Sequence, residues 1–166
     1  MANETLDVDF IEVIDAILGK LRDDLGLNDR SCFLMLDHHT PPPPVPVDLF
    51  LTISPDGGQF DAAMLIGGDD QQATIDTGVI VSIHSNVRLD PGGRDQEVLM
   101  NADRGLLIML TRVLKALTGF NPVVRDKYCL REYMPPRGFS QPQRLDGEKR
   151  SRLDIHFGVS FDWNLA

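Results

Sequence analysis

The first place to look for chemistry in this 166-residue chain is the run Asp37-His38-His39. Adjacent side chains on a strand point to opposite faces. His38 and His39 therefore cannot share one metal ion there, and Asp37 does not repair the geometry. All three read as loop residues. A small metal-dependent hydrolase is the alternative function they would serve, and a bound metal would be its sign. His84 and His156 fall in the even, outer register of their strands and read as surface histidines. No serine sits in GxSxG. The glycine pairs at 57–58, 67–68 and 92–93 open into neither GxxxxGK[ST] nor GxGxxG. "DPGGRD" at 90–95 precedes a helix, so its amides could hold an anion, but a turn and cap account for it. Asp154 and Asp162 stand ~26 Å apart at strand rise, too far to act together. Cys32 and Cys129 show neither CxxC nor metal-ligand spacing and read as reduced and buried. The sequence thus assigns no catalytic, cofactor-binding or metal residue. Its scattered polar groups point to a structural or assembly protein, not an enzyme.

Residues of this kind must be carried by regular elements, and the periodicity supplies them. Phe10, Ile11, Ile14, Ile17, Leu18, Leu21 and Leu25 recur at helical spacing. Asp7 or Asp9 can cap the start and Gly26 can stop the helix. "CFLMLDHH" at 32–39 is a short apolar segment, a candidate strand. "TPPPPVPV" at 40–47 lacks amide donors and has fixed φ, so it predicts a polyproline II arm. A partner could dock on that arm between Pro41 and Pro46, which makes an adaptor the second alternative. "VDLFLTIS" at 47–54 alternates, "PDGG" at 55–58 is turn chemistry, and "QFDAAMLI" at 59–66 follows. Residues 47–66 therefore predict a hairpin. "GGDDQQATIDTG" at 67–78 reads as a polar loop and 79–89 as the next strand.

From Asp95 to Leu117 the period becomes helical, with Leu99, Ala102, Leu106, Met109 or Leu110, Val113 and Leu117 on one stripe, stopped by Gly119 and Pro122. Residues 121–150 form a basic, loop-rich insert, with "YCLREYM" at 128–134 a possible strand and "LDGEK" a hairpin turn. Finally Leu153, Ile155, Phe157, Val159, Phe161 and Trp163 are apolar at every odd position. They predict an amphipathic strand packed on the long helix, central or at the edge of the sheet. The fold class is α+β. One domain over 1–166 has two layers, with a mostly antiparallel sheet covered by an N-terminal helix and one long helix at about 95–118.

Charge is uneven. Residues 1–93 hold 16 acids and 4 bases, and residues 94–166 hold 9 acids and 12 bases, within an overall −9. Gripping DNA needs a basic face, which the N-terminal half lacks. Halves of opposite sign suit head-to-tail contacts between copies. Apolar runs such as "GLLIML" at 105–110 are too short to span a bilayer, so no membrane is expected. "MANETLDVDF" lacks the order of a signal peptide, which predicts synthesis in the cytoplasm.

This layout of N-terminal helix, strand meander, helix at "DQEVLMNADRGLLIMLTRVLKAL" and terminal "HFGVSFDWNLA" resembles the lambda-type tail terminator, or tail-completion, proteins of long-tailed bacteriophages. The "HTPPPPVPV" arm and the 121–150 insert depart from them, and another neck or head-closure protein is the neighbouring alternative. The resemblance implies a virion protein of the tail neck, assembled in the host cytoplasm. It would form a homo-oligomeric ring, a hexamer, that caps the tail tube, ends its polymerisation and meets the head–tail connector protein. It needs no cofactor, and DNA crosses the channel without specific binding. Asp69, Asp70 and Asp76 then suit a lumen-facing loop. Phe157, Phe161, Trp163, Pro42 and Pro43 are the candidate subunit or partner contacts.

Overall fold

The computed structural model describes residues 10–43, 45–60, 72–86, 92, 94–124, 126–131, 133–145 and 150–164. Helix α1 (Phe10–Leu25) buries Val13, Ile14, Ile17, Leu18 and Leu21. Ile11, expected on that stripe, is instead exposed. Gly26 closes the helix at φ 65, the left-handed conformation that glycine adopts without strain. The cap candidates Asp7 and Asp9 lie outside the described residues. Strand β1 (Cys32–Leu34) follows, and Arg22 of α1 donates to the Cys32 carbonyl at 2.8 and 3.0 Å.

The expected hairpin at 47–66 is corrected. Strand β2 (Leu49–Phe60) runs straight through "PDGG", which forms a bulge with one extra residue between Asp56 and Gln59. Pro55 fits there because residues 51 and 53 bond towards β1, which has already ended alongside Pro55. Its missing N–H therefore deprives no partner. Strand β3 (Gln72–Ser85) starts well before residue 79. Residues 72–78 are thus strand and not loop, while 61–71, with Asp69 and Asp70, lie outside the described residues.

The long helix is also corrected, into α2 (Gln96–Met100) and α3 (Leu106–Leu117). The break has a local cause. The Asn101 side chain accepts from the Asp103 and Arg104 amides at 3.1 and 3.0 Å, competing with helical bonding. Gly105 then passes so close to Asn101 that a Cβ would lie 2.5 Å from its nitrogen. Ala102, expected on the apolar stripe, is exposed in this break. Gly119, at φ 78, ends α3 as expected. The insert holds β4 (Val123–Val124) paired with β5 (Lys127–Tyr128), and among the described residues no strand continues to residue 134. It continues with β6 (Pro136–Phe139) and β7 (Gln143–Arg144). β7 returns as a hairpin into β8 (Ser151–Asn164), and Leu145 N–H donates to the Arg150 carbonyl at 3.1 Å.

The main sheet runs β1-β2-β3-β8-β6, with β7 also on β8. All its pairings are antiparallel except β1 with β2. This is the expected α+β class with helices on one face. The terminal strand is interior to the sheet, which settles its place. Its odd residues Leu153, Ile155, Phe157, Val159 and Phe161 are buried against α1 and α3, and the Phe10 ring stacks on Phe161 at 5.8 Å. Phe157→Ala would open a cavity in this layer and should cost about 3–5 kcal/mol in urea unfolding. Val123→Ala, at an exposed position, should stay within about 0.5 kcal/mol. Equal effects would contradict this assignment of the core.

Candidate functional site

Parallel neighbours cannot be joined by a tight turn, because the chain must first travel back along the sheet. β1 and β2 are parallel, so residues 35–48, which include the proline-rich arm at 40–47, form their crossover. Proline excludes a helical crossover. The described part of this strap passes the sheet face opposite the helices, where the His38 ring lies 6.2 Å from that of His156. Phe33 beside it stacks on Phe50 at 5.8 Å, Pro42 is buried, and Asn86 N–H holds the Asp48 carbonyl at 2.8 Å.

That second face was expected to be wet. The structure buries most of it. Register places Phe50, His84 and Arg152 in one row, Thr52, Ser82 and Asp154 in the next, and Ser54, Ile80 and His156 in the third. Thr52, Ser54, Ser82 and His84 are at most 3% exposed. His84 is therefore not a surface histidine. Its ring stacks on Phe50 at 4.5 Å, and its Nε2 lies 3.2 Å from the Thr52 hydroxyl. The Arg150 guanidinium lies 4.8 Å over the other aromatic partner, Phe50. Arg152 grips Asp154 with two bonds of 2.7 and 3.1 Å in a nearly closed setting.

His38 lies over this face, with its ring 6.2 Å from that of His156 and 3.8 Å from that of His39. Burial first, then the neighbouring His39, pushes the His38 pKa down, with Asp154 opposing. Asp37 is occupied otherwise. Its carboxylate accepts the His39 and Thr40 amides and the Thr40 hydroxyl, all at 2.7 Å. The Thr40 hydroxyl is the main cause holding this carboxyl below the usual range. Asp37 therefore shapes the start of the strap by capping a turn. Among the described residues, no three His, Cys, Asp or Glu side chains gather as a metal site.

Further along the same face, Gly78 faces Gly158 across β3 and β8. The pair leaves a trough. A Cβ on Gly158 would lie 2.8 Å from Arg137 Nε, and one on Gly78 would lie 2.6 Å from the Phe157 carbonyl. The Arg137 guanidinium lies over this trough and reaches Asp76 at 2.9 Å. Asp56, from the bulge, approaches His156 Nδ1 at 3.6 Å.

The candidate contacts are dispersed. Phe157 and Phe161 are 0% and 1% exposed, so their side chains serve the chain's own core. Trp163 lies on β8 opposite Ala73. Pro42 is buried and Pro43 exposed. Asp76 stands on β3, not in a loop. Neither Cys32 nor Cys129 forms a disulfide, both are buried, and burial pushes the Cys32 thiol up to about 11. Sequence reading missed Arg152 and Asp154 as partners on this face, for which the even register of β8 was the signal, and Arg137 of β6, for which there was none.

The chain's fold is found among solved structures. It is similar to a chain of the "virion of native gene transfer agent (GTA) particle", with TM-score 0.54 and 12% identity over 89% of this chain and 92% of that one. No protein-family model and no curated protein matches.

The buried His84 gives this face a pH signature. Burial, then Arg152 and Arg150, lower its pKa from 6.5 to about 3. Above the unfolded value both states are neutral and the group contributes nothing. Below it the unfolded chain takes a proton that the folded chain refuses. Stability should therefore fall between about pH 6.5 and 3, by up to about 1.4 kcal/mol per pH unit from this group. Urea unfolding at pH 7, 6, 5 and 4 should show a flatter slope in His84→Phe. An unchanged slope would assign the acid sensitivity elsewhere.

Proposed function

We propose that this protein is a structural component of a tailed, phage-like virion, and specifically a tail terminator at the head–tail junction. Copies form a ring of six that caps the tail tube, ends its polymerisation and meets the head–tail connector protein. The protein works without catalysis or cofactor, and it is assembled in the host cytoplasm into the virion neck. The observation that carries this reading is a fold shared along nearly the whole length of both chains with a chain of a virion particle. On this reading the acidic segment between β2 and β3, with Asp69 and Asp70, faces the channel beside Asp76, whose carboxylate is shared with Arg137. There, like charge lets DNA pass without being gripped.

Absolute mass by light scattering, followed by negative-stain imaging of the same peak, tests the reading. The expected result is a ring of about six copies, either alone or on addition of cognate tail tubes. A ring that binds connectors and ignores tubes would move the protein to another neck position. A strict monomer that ignores both and carries a stoichiometric metal would overturn the proposal in favour of a hydrolase.

A further inference from the structure

The sheet has two unlike ends. At the β1 end an open groove of about 430 Å³ lies between the start of α1 and the segment after β1, with Ile14 and Ile53 in its floor. Its rim presents Ile11, Leu34 and Leu36, which are 65%, 47% and 88% exposed. Three large apolar side chains around one groove form the kind of patch that marks a contact surface. At the opposite end every residue of β6 is exposed, and Phe139 stands out with Tyr133 nearby in sequence. The charges beside the two contact patches differ in sign. Asp15 lines the groove, with Glu12 next to Ile11 on the same turn of α1. At the other end Arg137 on β6 and Arg144 on β7 stand about half exposed, shared with Asp76 and Asp95 of the same chain.

One chain cannot bring these ends together, because they are opposite edges of its own sheet. We propose that the groove is filled by a second copy of this chain, whose β6 end places Phe139 between Ile11 and Leu36. Groove against groove would oppose like charges on two α1 helices, whereas groove against the β6 end opposes acids with bases. The contact is therefore heterologous. Each copy uses one end to bind and leaves the other end open, and such a contact repeats around a ring until it closes. Arg22 already holds the outward Cys32 carbonyl, so the copies join through side chains and not by adding a strand at that atom. This inference rests on the ring reading and names its interface.

Two exposed substitutions, Leu36→Asp and Phe139→Glu, test it by native mass spectrometry, with circular dichroism confirming that both fold. The expected outcome is that wild type assembles, each variant alone remains a single chain, and an equal mixture forms dimers containing one of each. Only a head-to-tail contact gives that result, since each variant keeps one intact end. Phe139→Glu pairing with itself would mean a groove-to-groove contact and overturn the proposal. Assembly of both variants like wild type would overturn this interface while the ring reading stands. A wild type that stays monomeric with and without tail tubes would overturn both.

Discussion

The unbroken pairing of β3 with β8 governs the rest of the molecule. Fourteen residues on each strand face one another, from Gln72 opposite Asn164 to Ser85 opposite Ser151, without a bulge. A slip of one residue would turn β8 over relative to β3. The odd residues of β8 would then leave the helices, and Arg152 and Asp154 would enter the hydrocarbon core. Burial of charge there is far costlier than exposure of one apolar side chain. The apolar row and the polar rows therefore hold the same register from opposite sides.

A second constraint follows from β1. Its parallel pairing with β2 obliges the chain to cross the sheet, and prolines keep the crossing from being a helix. A helix would have covered the second face with an apolar stripe. A proline-rich strap has few long apolar side chains to offer, so that face is completed by its own polar groups. His84 is held neutral between Phe50 and Thr52, and Arg152 neutralises Asp154. The polar character of a buried face is thus a consequence of what crosses it.

This dependence marks the limit of what could be read from the chain alone. The α+β class, the face used by β8 and the glycine stops of α1 and α3 follow from period and backbone freedom, and all were legible. The bulge at "PDGG" was not, because the same residues make a turn when the strand ends and a bulge when its partner continues. Nor was the split at Asn101–Gly105, where a side-chain bond defeats a helical apolar period. His84 and His156 share one even register, yet only His84 is buried. The difference lies in the Phe50 and Arg150 groups that come from other segments. The candidate contacts Phe157 and Phe161 lie in the chain's own core for the complementary reason. An amphipathic strand exposes one face only until a second layer exists, and its aromatic residues were already claimed by α1 and α3.

An open sheet must also deal with its two edges, since unpaired backbone groups recruit any passing strand. Here β1 is short, Arg22 occupies its Cys32 carbonyl and Pro55 removes a donor from β2 just beyond it. Those features suppress indiscriminate strand addition at that edge. They leave the apolar side chains of Leu34, Leu36 and Ile11 outside it, where only a surface of matching shape and charge can use them. A contact built from side chains discriminates among partners in a way that backbone pairing does not. An edge closed to strands but open to one shaped surface is what the proposed head-to-tail contact requires.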